Sequence, residues 1–319
     1  MLKQLIKRIY KKIYSKDFFL KLSLITEKER ILIDELLNDF QKIPIIDTKN
    51  LSDAALTWAT NMNRLRELIF NDDPRRFLQW DVIRHTMFVD NTQYVLKELD
   101  SLRHSTLFNK YYQKGIIESE VGSPSRCHLY KNSSGNLIHH AYHIQQFEEK
   151  TNIAISTIDF VFEFGGGYGC MCRLFNSLGF NSKYVIFDLP SFSLLQKYYL
   201  KSLGHRLLTV EEFCREQSGI LCISDLQELK DVLKTVISVK RILFIGTWSI
   251  SETAIDLRNN IFLLLNNFNL FLIAYQDKFK EVDNIDYFKN IQNNYKKIKW
   301  DNWKIEHIPG NNYLIGNGI

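Results

Sequence analysis

The chain has 319 residues and a mass of 37.7 kDa, room for one large domain or about two of ordinary size. Hydrophobic residues at 45%, with 22 Phe, 15 Tyr and 5 Trp to fill a core, exclude wholesale disorder, and a net charge of +5 from 41 basic and 36 acidic residues is too small by itself to argue for a nucleic-acid partner. Cys127, Cys170, Cys172, Cys214 and Cys222 are odd in number and never spaced CxxC, which argues against a disulfide framework or zinc ribbon and fits a reducing cytoplasm.

Residues 2–14 put Leu2, Leu5, Ile6, Ile9, Tyr10, Ile13 and Tyr14 on one helical stripe, opposite Lys3, Lys7, Arg8, Lys11, Lys12 and Lys16. Such a helix either docks on its own domain with a solvated lysine face or makes peripheral contact with an anionic inner-membrane face through residues 1–16, at about 1 kcal/mol per basic residue. The start lacks the continuous apolar core and cleavage site of a secretory signal. No apolar run approaches the roughly 18 residues that span a bilayer. Thr26 and Glu29 form a capping-box pattern ahead of Ile31 to Leu37. Further helices are expected from Asp53 to Phe70, with Trp58, Met62, Leu65 and Ile69 on one face, and from Thr92 to Leu102. Between them Asp73 and Pro74 read as an N-cap and first-turn proline. Residues 1–115 are thus predicted to be an all-helical region.

Gly, Ser and Pro cluster in Val121 to Ser125 and Asn132 to Asn136, which reads as two loops within a connecting segment, 116–150, that ends in a helix from Leu137 to Lys150. The pattern then becomes short apolar runs separated by helices: Ile158 to Phe164, Tyr184 to Phe187, Leu221 to Ile223, Ile242 to Ile245 and Leu270 to Tyr275. Alternation of this kind implies an α/β fold over 151–319, with a mostly parallel sheet and helices on both faces. Trp303 to Ile308 and Tyr313 to Ile315, flanking Pro309 and Gly310, predict a terminal antiparallel hairpin.

The sharpest signal is Asp159-Phe-Val-Phe-Glu163-Phe-Gly165-Gly166-Gly167-Tyr168-Gly169, a buried strand running into glycines and then a helix. A ligand can approach such a loop because no Cβ intervenes, and the following helix presents free amides. Asp188, 19 residues beyond Gly169, stands at the end of the next strand, where an acid accepts ribose hydroxyls. The pattern describes an adenosine site. The dinucleotide fingerprint wants a third glycine where Cys170 stands. A carboxylate at Glu163 would repel a diphosphate but suits the ammonium and sulfonium of S-adenosylmethionine. An NAD-linked sugar oxidoreductase and a non-enzymatic scaffold in a glycan-assembly complex stay as the rivals.

Glu163 to Gly169 with Arg173, then Asp188-Leu189-Pro190, Leu195 to Leu200 and Gly204, together with Trp248-Ser-Ile-Ser-Glu252, resemble a sugar O-methyltransferase family found with bacterial polysaccharide genes, over residues 118 to 316. The resemblance implies a Rossmann-like class I methyltransferase sheet of seven strands with the last reversed. It also implies S-adenosylmethionine as donor, held by Glu163, Gly165, Gly166, Gly167, Tyr168, Gly169, Asp188, Leu189, Thr247 and Trp248. The implied acceptor is a glycan, either a nucleotide sugar or lipid-linked, with no nucleic acid and no metal. A sugar hydroxyl needs a base as its new bond forms. His140 and His139, just upstream of the glycine strand, and Glu252, past the fourth strand, are the candidates. His139 and His143 share a helix face, but the zincin pattern needs Glu where His140 stands.

Overall fold

The computed structural model describes residues 22–49, 51, 53–236 and 239–319. The basic stripe of residues 1–16 therefore lies outside the described residues. Among those described, no helix is long and apolar enough to cross a membrane.

Among the described residues the long helices α1 (Glu27–Lys42) and α2 (Asp53–Asn71), the short α3 (Asp81–Thr86) and the long α4 (Gln93–His104) lie ahead of the connecting segment, with a π-helix, Phe108–Tyr112, running into one helical turn, Gln113–Gly115, after them. The capping box forms as expected: the Glu29 amide donates to the Thr26 hydroxyl, and the Thr26 amide donates to the Glu29 carboxylate at 2.8 Å. Asp73 caps a 3-10 helix, Pro74–Gln79, rather than an α-helix. The connecting segment departs from expectation. Asn132 to Asn136 is not a loop, because Tyr130–Ser134 pairs with Arg126–Cys127 and α5 (Gly135–Thr151) starts at once, capped by the Ser134 hydroxyl. Gly135 is there for close approach: a Cβ on it would stand 2.6 Å from the Asp90 carbonyl oxygen and 2.8 Å from that of Val89.

The strands of the main sheet follow: β1 (Phe160–Phe164), β2 (Lys183–Phe187), β3 (Gly219–Ile223), β4 (Ile242–Thr247), β5 (Leu270–Gln276), β6 (Lys299–Lys304) and β7 (Asn311–Asn317), with a separate two-residue pair, Lys278–Phe279 and Val282–Asp283, after β5. β1 to β7 form one sheet in the order β6-β7-β5-β4-β1-β2-β3, parallel except for β7, which runs antiparallel to both β5 and β6. This is the Rossmann-like order of class I methyltransferase sheets. The hairpin is displaced from its expected place: Lys299 to Lys304 pairs, and Ile305 to Gly310 is the connecting loop. Ile305 is buried there as a loop residue, which is why an apolar run misplaced the strand.

Strand alternation divides the core in two. Val161, Tyr184, Ile186, Leu243, Ile245 and Leu272 face α5, α6 (Cys170–Ser177), α7 (Pro190–Ser202) and the amino-terminal helices, whose Leu36, Phe40, Leu65 and Leu99 belong to the same cluster. Phe160, Phe162, Phe244, Phe271 and Ile273 face α9 (Leu226–Lys234), α10 (Ile255–Leu264) and α11 (Asn284–Asn294), with α8 (Val210–Arg215) beside them. The helical region thus shares its apolar core with one side of the sheet.

Gly135→Ala should force the α5 start away from Val89 and Asp90 and lower stability by about 1–3 kcal/mol, the usual cost of overpacking. Chemical denaturation measures it, and a midpoint equal to the parent's would mean that the two backbones do not meet as described.

Candidate functional site

After β1 the chain turns into α6 on one face of the sheet, and after β4 it turns into α10 on the other. Neighbouring strands that part in this way leave a crevice at their carboxyl ends. Here it is a cavity of about 880 Å³, near the top of the roughly 300–1,000 Å³ range of small-molecule sites. Its floor comes from the ends of β1, β2 and β4, and its roof from α2, the Arg84 to Val89 segment and α5.

The glycine loop is built for backbone approach. Gly165 (φ +71°) would place a Cβ 2.3 Å from the Ser249 Cβ, and Gly167 (φ +58°) turns the chain beneath Met87. Glu163, Gly165, Gly166, Gly167, Asp188, Leu189, Thr247 and Trp248 all line the cavity. Tyr168 lines it too but is otherwise core: its hydroxyl accepts a hydrogen bond from Asn136 at 2.8 Å, and its ring packs on Phe77 and Tyr199. Gly169 starts α6 at φ +95° and is not among the lining residues; it packs against Leu200.

The two acids that bracket the loop are not free charges. Glu163 is 3% exposed and accepts a hydrogen bond from the Tyr184 hydroxyl at 2.8 Å. Burial, helped by the nearby Asp188 and opposed by the Tyr184 bond, pushes its pKa up to about 8. Asp188 accepts from the amides of Gly167 (3.1 Å) and Leu189 (2.7 Å) and from the Gln196 side chain (2.8 Å), yet burial still raises it to about 7.

The proposed bases cluster across the cavity. His139, His140, His143 and Glu252 all line it. His140 is half-buried, its Nδ1 is buried without a hydrogen-bond partner, and desolvation followed by the charge of His139 drives its pKa down to about 3. His143 bonds the Tyr313 hydroxyl through Nδ1 and is likewise held neutral by burial. Glu252 takes a weak bond from Gln276 at 3.4 Å, and burial raises its pKa. His139 differs: its Nδ1 meets the Glu98 carboxylate at 2.8 and 3.0 Å, and Trp248 stacks on its ring at 5.4 Å between centroids.

Sequence reasoning missed Glu98, His307 and the α2 wall of Trp58 and Met62. Glu98 was legible in principle, since it stands on the apolar stripe of Val95, Leu99 and Leu102, where a carboxylate needs a partner.

No protein-family model matches the chain, nor does any curated protein. Solved structures are similar in part. The methyltransferase domain of bacterial CtHen1 aligns at 10% identity over 57% of this chain and 100% of that one, with a TM-score of 0.39. The precorrin-6y C5,15-methyltransferase of Geobacter metallireducens aligns at 9% identity over 61% and 93%, with a TM-score of 0.35. A chain of the Pnkp1/Rnl/Hen1 RNA repair complex aligns at 10% identity and a TM-score of 0.36, covering 56% of this chain, which spans only 41% of its length. The fold assignment rests on the strand order and not on these likenesses.

Half-buried His140, held neutral, weakens the folded state in acid. Folded, its ring stays neutral down to about 3, whereas the unfolded ring takes a proton near 6.5, so lowering the pH between those values favours the unfolded chain. The parent should therefore lose stability relative to His140→Gln as pH falls from about 7 to 4, by up to about 1.4 kcal/mol per pH unit. A stability difference that stays flat across that range, followed by denaturant titration, would rule out a ring held neutral.

Proposed function

We propose that this protein transfers a methyl group from S-adenosylmethionine to a hydroxyl of a sugar or glycan acceptor. The observation that carries the reading is a glycine loop at the carboxyl end of β1, bracketed by buried Glu163 and half-buried Asp188 and opposed across one cavity by a histidine cluster. Gly165 and Gly167 leave the cradle that a Cβ would fill, and two acids without a cation suit a donor that carries an ammonium and a sulfonium. The reversed β7 also belongs to methyltransferase sheets rather than to a dinucleotide-binding sheet. When bound, the donor supplies an electrophilic methyl group whose bond to sulfur breaks with the electron pair left on sulfur.

The chain's own residues would do the remainder. Asp188 holds the Gly167 amide and stands ready for ribose hydroxyls, while Trp58 and Phe192, edge to face at 6.0 Å, give an apolar wall. On the acceptor side a hydroxyl loses its proton as its oxygen bonds the methyl carbon. His139 is the base of choice, because His140 near 3 is a poor proton acceptor at neutral pH. Arg84, the guanidinium among the described lining residues, is already paired with Asp90. That favours an acceptor uncharged where it enters, a glycan hydroxyl, over the diphosphate of a nucleotide sugar.

Calorimetry with S-adenosylmethionine and with its demethylated product tests donor binding, and isotopically labelled donor with extracted glycans tests transfer. Both nucleosides should bind, and Asp188→Ala should weaken them about 10–100-fold, the worth of charge-assisted hydrogen bonds. Glu163, raised to about 8, is mostly protonated at pH 7, and a cation placed beside it favours the ionised form. Donor binding at pH 7 should therefore release on the order of one proton, read from the dependence of heat on buffer, and Glu163→Gln should release less. No heat with either nucleoside at millimolar concentration would sink the reading.

A further inference from the structure

Glu98 is a carboxylate with 0% exposure, placed on α4 and surrounded by the apolar residues of that stripe. Burying such a group costs several kcal/mol unless it is paired. Its partners come from far along the chain. His139 of α5 bonds both oxygens through Nδ1, and His307 of the β6–β7 loop bonds Oε1 through Nε2 at 3.0 Å. Burial alone would raise the Glu98 pKa, but the charges and hydrogen bonds of the two histidines outweigh it and hold the group below the usual carboxylate range. An ionised carboxylate only accepts hydrogen bonds, so the nitrogens that face it must carry the protons. In the neutral ring of His139 that leaves Nε2, on the far side, free to accept one.

We propose that Glu98 is a positioning residue that fixes His139 in the tautomer protonated at Nδ1, so that Nε2 takes the acceptor's hydroxyl proton. The proposal rests on the methyl-transfer reading for its catalytic half. The balance is simple: the acceptor oxygen gains the methyl carbon, sulfur keeps the electron pair of the broken bond, and the hydroxyl proton moves to His139. The resulting imidazolium then lies against the Glu98 carboxylate, which stabilises it as it forms. Trp248 covers one side of the ring, and His143, 4.2 Å away between centroids, covers another. The ionisable groups that face His139 are Glu98 and Tyr94 from α4, His140 and His143 from its own helix, and His307 beyond the shared carboxylate. Of these, Glu98 is the one that bonds the ring.

The test combines spectroscopy and kinetics on the full chain. Long-range proton–nitrogen correlation on histidine-labelled protein, with His139 assigned by its loss in His139→Gln, should show the neutral ring protonated at Nδ1. The other tautomer overturns the proposal, even if Glu98 variants fail to fold, because the parent alone is read. Glu98→Gln keeps the shape and removes the charge. In this variant the acid limb of the kcat profile should shift and kcat should fall about 100-fold. Affinity for the demethylated donor should stay within about threefold of the parent. An unchanged acid limb, or an unchanged kcat, overturns the proposal. If the parent binds neither nucleoside, the methyl-transfer reading fails, while the tautomer measurement still decides whether Glu98 orients His139.

Discussion

The structure depends on the parting of two chains at the carboxyl ends of β1 and β4. The strands are hydrogen-bonded neighbours up to Glu163 and Ile245, and then one turns to each face of the sheet. The gap between them is kept narrow by backbone contact. The Ser249 hydroxyl donates to the Phe164 carbonyl oxygen, and the Ser249 Cβ occupies the space that a side chain on residue 165 would need. A glycine at 165 is thus required twice over, by its left-handed φ and by its neighbour. From that one closure follow the cradle for a nucleoside and the position of Trp248, immediately before Ser249.

Charge is distributed over the cavity in an unusual way. The floor carries Glu163 and Asp188, both raised by burial, and the far wall carries His140 and His143, both held neutral, while Arg84 is already paired with Asp90. Such a site carries reduced negative charge when empty and gains more as a cation approaches, since the cation shifts these carboxyls toward ionisation. Glu98 is the exception: it is ionised before anything binds because two imidazoles attend it. One carboxylate held below the usual range beside others raised above it separates an orienting role from a ligand-holding one.

Much of this was legible in the sequence, for physical reasons. The glycines at 165 and 167, the acids at 163 and 188 and the alternation of strand and helix are local features, and each sits where the pattern put it. What failed was local inference about non-local causes. Gly135 read as a loop glycine, although it serves the approach of the Val89 and Asp90 backbone. Ile305 read as strand because it is buried, yet it is buried from a loop. Glu98, His139 and His307 are separated by 41 and 209 positions from one another's partner, so only the packing of α4, α5 and the hairpin loop brings them together. His140 and His139 are both candidates by position, and the Glu98 carboxylate, 41 residues away, sets them apart.

Trp248 joins these threads. Its backbone sits at φ 62° and ψ −38°, which for a bulky residue costs on the order of 1–3 kcal/mol. Such a cost persists only where the surroundings over-determine the conformation. Here the Trp248 amide donates to the Ala274 carbonyl oxygen at 2.7 Å, and the indole N–H donates to Asn311 at 2.6 Å on the terminal hairpin. With both ends fixed, the ring lies nearly parallel to His139, 27° from coplanar, and limits its rotation from the side that Glu98 does not reach. A relaxed backbone at 248 would carry the indole elsewhere and leave His139 held from one side alone. The strain therefore falls where two elements far apart in sequence meet the same imidazole, and it is the β4 end, through Ser249 and Trp248, that ties the glycine cradle to the base.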